Sequence, residues 1–242
     1  VIKAEVQRLK PTTVYVIGSA SVVSNAVLAE LDAIATGTAT RIGGVDRFDT
    51  SRQVTELAFG VSGASDVYIA TGLNFPDALT ASGVGATFGN PVILVPGTAP
   101  AVDQATLDLL SSLNAKNVMI AGSTTVVSSG IQTQLDGTPG ILSVTRLAGA
   151  NRYETGLAIV QAQVGSGYSS PVTRVFLATG ENFPDALSGS AMAGALRAPL
   201  FIVQPNCMPQ GVIDTINALG AQQITMIGSS AVLKDTSATT AC

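Results

Sequence analysis

Short apolar runs alternate along this chain with longer segments in which small and apolar residues recur every three or four positions. Runs at 14–17, 67–70, 92–95, 118–121, 175–178, 201–203 and 224–227 are strand-length and continuous, the signature of strands buried on both faces. Segments at 25–31, 50–59, 101–111, 130–135, 155–164 and 209–219 predict helices, and Ser24 and Ser128 stand where N-caps of two of them would be. A further helix of small residues is expected after each Asn-Phe-Pro-Asp-Ala-Leu segment, and residues 1–6 read as an amphipathic helix rather than a signal peptide. Strand and helix in strict alternation predict an α/β fold: a mainly parallel sheet flanked by helices on both faces.

The pattern also repeats. Ala70-Thr-Gly-Leu-Asn-Phe-Pro-Asp-Ala-Leu79 returns with one change as Ala178-Thr-Gly-Glu-Asn-Phe-Pro-Asp-Ala-Leu187. Thr40-Arg-Ile-Gly-Gly-Val-Asp-Arg-Phe-Asp-Thr50 is matched by Thr145-Arg-Leu-Ala-Gly-Ala-Asn-Arg-Tyr-Glu-Thr155. The segment Asn90-Pro-Val-Ile-Leu-Val95 is matched by Ala198-Pro-Leu-Phe-Ile-Val203. Strands ending in Gly18, Gly122 and Gly228 recur about 105 residues apart, so the unit of construction is a tandem repeat of that length.

Composition narrows the chemistry. Apolar residues make up 46% of the 242 and charged residues only 12%, enough for a sizeable core and too little charge for disorder. A net charge of −4, with pI about 4.7, argues against nucleic acid as partner. No apolar run is long enough for a transmembrane segment. The chain has no His, which removes Ser-His-Asp and Cys-His catalysis and the commonest metal ligand. Two cysteines are too few for a zinc site. Cys207 and Cys242 read as a disulfide tying the last residue to a loop after a strand, worth about 3 to 4 kcal/mol in the chain-entropy model; two free thiols are the alternative.

The repeated motifs, in this fixed order and twice over, resemble the cell wall binding repeat type 2 family of Gram-positive bacteria. The resemblance spans nearly the whole chain. It divides it into the second half of a truncated repeat at 1–40 and repeats at 41–145 and 146–242. It implies tandem Rossmann-like (toprim-like) α/β repeats that come in threes around a pseudo-threefold axis. It also implies a non-catalytic module, without cofactor or metal, that holds a secreted surface protein non-covalently to the cell wall. The implied partner is an anionic wall polysaccharide or teichoic-acid-like polymer. With two and a half repeats, a homo-oligomer that completes the half repeat is a further expectation.

Candidate binding residues follow from the motifs. Asp77 and Asp185 sit in a predicted first helical turn, where a carboxylate meets free N–H groups and the helix dipole, but an open α/β sheet also binds ligands at that end of its strands. Arg47 and Arg152 either pair with those aspartates or present a guanidinium fork to an acid group of the polymer, and Arg41 and Arg146 are similar. Asn74 and Asn182 can bond the turn backbone or a ligand. Phe75 and Phe183 read as packing staples, with sugar stacking as the alternative. Gly18-Ser-Ala-Ser and Gly122-Ser-Thr-Thr resemble weak phosphate loops but match no nucleotide motif. Two other functions remain open: a self-assembling or adhesive surface protein, and a hydrolase using Asp77 and Asp185. The hydrolase requires both carboxylates in one site, about 5 to 10 Å apart.

Overall fold

A computed structural model describes residues 2–168 and 170–242; Val1, at the start of the first predicted helix, lies outside them. The chain forms two compact units, Val1–Val61 and Ser62–Cys242. The three sheets among the described residues are parallel. The runs at 67–70, 175–178 and 201–203 are buried as expected, whereas those at 14–17 and 224–227 leave Tyr15, Ile17 and Ile224 exposed and are not covered on both faces.

The first unit contains α1 (Ile2–Leu9), β1 (Thr13–Ile17), α2 (Asn25–Ile34), β2 (Thr38–Ile42) and α3 (Arg47–Phe59), with β1 and β2 paired. Ser24 caps α2 by accepting from the Val27 N–H, as the sequence predicts. Helix α3 starts three residues earlier than its apolar pattern suggests. Asp46 is its N-cap and accepts from the Phe48 and Asp49 N–H groups, while Asp49 turns back to accept from Val45 N–H. The Thr50 hydroxyl accepts from Gly44 N–H and donates to the Asp46 carbonyl, closing the turn.

The second unit continues with β3 (Asp66–Thr71), α4 (Pro76–Phe88), β4 (Val92–Val95), α5 (Gln104–Ser112), β5 (Asn117–Ala121), α6 (Ser129–Asp136), β6 (Ser143–Leu147) and α7 (Arg152–Gln161). It ends with β7 (Arg174–Thr179), α8 (Pro184–Ala195), β8 (Leu200–Val203), α9 (Gln210–Ala218), β9 (Gln223–Ile227) and a short 3-10 turn, Asp235–Ala238. One sheet runs β4-β3-β5-β6, the other β8-β7-β9. Helix α7 repeats the α3 correction: Asn151 caps it, Glu154 accepts from Ala150 N–H and Thr155 from Gly149 N–H.

The two sheets of this unit share one core. Tyr68, Val84 and Ile159 join Val175, Leu177 and Phe201 in it. Helices α4 and α8 cross at close range because both are built from small residues. Gly194 abuts Ala86, and Ser190 Oγ reaches across to the Leu79 carbonyl at 2.8 Å. At their N-termini the rings of Phe75 and Phe183 meet at 5.7 Å, so Phe75 packs between repeats as its staple reading expects.

Cys207 and Cys242 form a disulfide that spans 35 residues. The segment before Cys242 folds over the loop after β8 and bonds to it: Lys234 N–H to the Pro205 carbonyl, Met208 N–H to that of Thr240, and Cys242 N–H to that of Met208.

Candidate functional site

Three loops meet at the carboxyl ends of β3, β5 and β6 and enclose a cleft of about 190 Å³. The β3–α4 loop contributes Thr71, Asn74 and Asp77; β5–α6 contributes Ser123 and Thr125; β6–α7 contributes Asn151 and Arg152. Parallel strands put all three loops on the same edge, where open α/β sheets take ligands. The cleft is composite. Asp77 belongs to one sequence motif, and Arg152 to the corresponding opening of the next.

Asp77 is 7% exposed. Its helix has no side-chain cap, and Pro76 fills the first position, where no N–H is needed. Asp77 stands in the first turn of its helix, as the helix-start reading expects, and its carboxylate also lies against Gly122. A Cβ on Gly122 would stand 2.7 Å from Asp77 Oδ2, and the φ of Gly122, +115°, is one that side chains rarely adopt. Gly228 and Asp185 repeat the arrangement, again at 2.7 Å. Gly122 and Gly228 thus leave room for the aspartates of their own sheets, whereas Gly18 meets only Val22 and Val23.

The expected Arg152–Asp77 ion pair does not form. Arg152 Nη1 donates to the Gly180 carbonyl at 2.7 Å, and the guanidinium lies over the Phe75 ring, 5.9 Å from its centroid. Its charge still reaches Asp77, but burial dominates and pushes the Asp77 carboxyl up to about 6, with Arg152 working in the opposite direction.

The raised value has a stability consequence. In the unfolded chain the carboxyl ionises near 3.8, so the native state holds its proton more tightly than the unfolded state does. The stability this contributes is present below pH 4 and is lost as pH rises through 6. Asp77→Asn should therefore stabilise the protein at pH 8 by on the order of 2 kcal/mol and change little at pH 4. Urea denaturation at the two pH values measures this; equal effects at both would show that Asp77 ionises normally in the fold.

Arg146 and Arg41 act on loop structure. Arg146 donates to the carbonyls of Gly122 and Ser128 and to Gln132 Oε1. Arg41 donates to the carbonyls of Gly18 and Ser24 and to Asn25 Oδ1. In each case the guanidinium fixes the loop after the Gly-strand. Arg47 opens α3 in the first unit as Arg152 opens α7. Asn74 Oδ1 accepts from Phe75 N–H. Asn182 is exposed in the β7–α8 loop, and Asp185 is half-buried beside β9. Asp77 and Asp185 belong to different sheets and rest on different glycines, so they do not share a site.

The motif reading did not place Thr71 in the site and took Ser123 and Thr125 only as part of a weak phosphate loop; all three line the cleft with Asp77. Their signal was present, since each follows an apolar strand by no more than a few residues, but only the sheet order brings them together. The Ser123 and Thr125 hydroxyls bond each other at 2.7 Å, and Thr71 Oγ1 accepts from Leu73 N–H.

Fold and cleft together describe a repeat-built α/β protein with a polar cleft between successive motifs. The chain belongs to the cell wall binding domain 2 (CWB2) family, which it matches at residues 41–132 and 146–238. It is similar to the cell wall protein Cwp6 from Clostridium difficile, with a TM-score of 0.83 at 25% identity over 97% of this chain and 38% of that one. Cwp8 from the same organism has the same fold, with a TM-score of 0.77 at 22% identity over 95% of this chain and 37% of the other. Among curated proteins, the N-acetylmuramoyl-L-alanine amidase LytC of Bacillus subtilis (strain 168) is 24% identical over 204 residues, 84% of this chain and 39% of that protein. The amidase enhancer of the same strain is 23% identical over 227 residues, 93% of this chain and 29% of its own length. The chain thus spans well under half of each of these proteins. Cell wall binding is the function of the family, and the chain is a cell wall or cell surface component. No helix among the described residues is long and apolar enough to cross a membrane.

Proposed function

We propose that this chain is a non-catalytic anchor that holds a secreted surface protein non-covalently to an anionic wall polymer, through clefts at the carboxyl edges of its sheets. The observation that carries the reading is the composite cleft itself: hydroxyl and amide groups beside one guanidinium, with a single buried carboxylate. Such a set binds an acidic, hydroxyl-bearing polymer. A hydrolase would need a second carboxylate converging on Asp77, and Asp185 lies in the other sheet.

In this reading Asn74, Asp77 and Arg152 contact the polymer directly. Asn182 and Asp185 hold the corresponding places beside β9, and Arg47 those at the start of α3. Arg41 and Arg146 support the loops from behind. Whole repeats at 41–145 and 146–242 are then units of sequence, while a binding cleft takes parts from two of them.

Sedimentation of the protein with purified cell walls tests this. Binding should be lost when the walls are stripped of secondary polymers and should weaken with salt. Arg152→Ala should reduce affinity about tenfold, a charge-assisted contact being worth roughly 1.5 kcal/mol or more, while Arg152→Lys recovers part of it. Retention on stripped walls would refute the anchoring role, provided the variants unfold at the same temperature as the parent.

A further inference from the structure

We propose that the cleft between β3, β5 and β6 is a proton-coupled phosphodiester site, which takes the anion with Asp77 protonated and donating its O–H to a phosphate oxygen beside Arg152. The inference rests on the anchoring reading and names the group that the cleft recognises.

The argument begins with charge. Asp77 is more than nine-tenths buried and lines the cleft, yet its carboxylate has neither a hydrogen bond nor an ion pair among the described residues. A buried polar group without a partner is costly, and here the open side of the group is the cleft. Arg152 is the charge that faces it. The other segments that line the cleft present neutral polar groups, the hydroxyls of Thr71, Ser123, Thr125 and Thr155 and the amides of Asn74 and Asn151. Glu154 is turned away onto the Ala150 N–H and the Asn151 side chain, and Glu181 lies towards Tyr153.

With Asp77 ionised, the pair Arg152 and Asp77 sums to zero, and an entering anion meets a like charge in a poorly solvated site. With Asp77 neutral, the cleft carries one positive charge and offers an acid O–H next to a guanidinium, a match for one phosphodiester. The cleft is partly open to solvent, so one anionic group of a longer polymer can enter it. Neutral sugar hydroxyls bond either state of a carboxyl, so they would gain little from the proton. Burial raises the pKa of Asp77 to about 6, so the protonated form is within reach in mildly acidic conditions. An anion bound beside it raises that pKa further, so binding takes up a proton.

The probe is glycerophosphoglycerol, whose phosphodiester stays a monoanion throughout the range of interest. Calorimetric titration from pH 5 to pH 8 should show affinity falling about a hundredfold as Asp77 ionises from about 6, with a proton taken up per ligand at pH 7. Asp77→Asn keeps an N–H donor and should bind with a flat pH profile, whereas Asp77→Ala should bind weakly at every pH. Thermal unfolding verifies that both variants fold. A flat profile for the parent, tighter binding at pH 8, preference for a neutral methyl glycoside, or no phosphodiester binding at pH 5 would each overturn the inference. Wall sedimentation run in parallel separates the two claims: walls bound without any of these signatures leave the anchor standing and remove the proton-coupled site.

Discussion

Replacing both Cys207 and Cys242 by serine should lower stability by about 4 kcal/mol, the loop entropy of a crosslink spanning 35 residues. For a protein of this size that corresponds to a fall of roughly 10 °C in Tm. The reason is positional. The segment that ends at Cys242 buries one large apolar side chain, Leu233, and is held to the β8–α9 loop by the Ser237 hydroxyl on the Pro205 carbonyl and by backbone bonds. Hydrogen bonds of that kind contribute about 1 kcal/mol each net, and they form only after the segment has been brought back to the loop. The crosslink supplies that closure in the unfolded chain. Denaturation with and without reductant should give the same difference as the double serine variant. A loss below 1 kcal/mol would mean that the backbone bonds suffice. Limited proteolysis offers a second readout: cleavage after Lys234 should accelerate in the variant.

Gly194→Val should cost about 3 kcal/mol or more. Propensity and packing oppose each other here. A glycine inside a helix is worth about 1 kcal/mol less than alanine, so a substitution judged on helix formation alone would stabilise α8. Yet a Cβ at Gly194 would stand 2.3 Å from the Cβ of Ala86, with the Ala86 backbone carbon at 3.2 Å behind it. The obstacle is a helix rather than a flexible side chain, so α4 and α8 would have to separate. Separation would break the Ser190–Leu79 bond and open the shared core, and overpacking at such a crossing exceeds the propensity gain. Gly194→Ala should fall between wild type and valine, and Gly137→Ala, where the added carbon meets only ordinary contacts at the end of α6, should be near neutral. Chemical denaturation of the three variants decides the matter. Near-equal stability of Gly194→Val and the parent would show that the crossing relaxes freely. The same displacement of α4 should move Asp77 and impair wall binding, which links the helix crossing to the cleft.

Asp77 sits where stability and binding pull apart. The fold would gain from an asparagine at neutral pH, but the carboxyl supplies the titrating group that the site uses. Functional positions commonly carry such a cost.

Much of this architecture was legible in the chain. Continuous apolar runs gave parallel strands because a strand covered on both faces has no polar side to declare. Serines before α2 and α6 capped the helices predicted from them. The repeated motifs gave the family. Helix starts at Arg47 and Arg152 were misjudged because apolar periodicity begins only a turn later, whereas the cap of Asp46 or Asn151 is a polar, local signal.

The set of elements, their repetition and the available chemistry follow from the sequence: no histidine, few charges, and in each repeat an Asn-Phe-Pro-Asp aspartate and an arginine preceded by Asp46 or Asn151. Which of these groups meet depends on the tertiary structure. Strand order carries β6, from the start of one motif, into the sheet of the preceding one, so Asp77 faces Arg152 from across a repeat boundary. It also set the Asp77 carboxylate against Gly122, and left the arginine on a carbonyl rather than on the aspartate. Register and hydrogen bonds along a strand are local and show in the pattern of residues. The juxtaposition of loops at a sheet edge depends on the order in which strands pair, and residue spacing carries no record of that order.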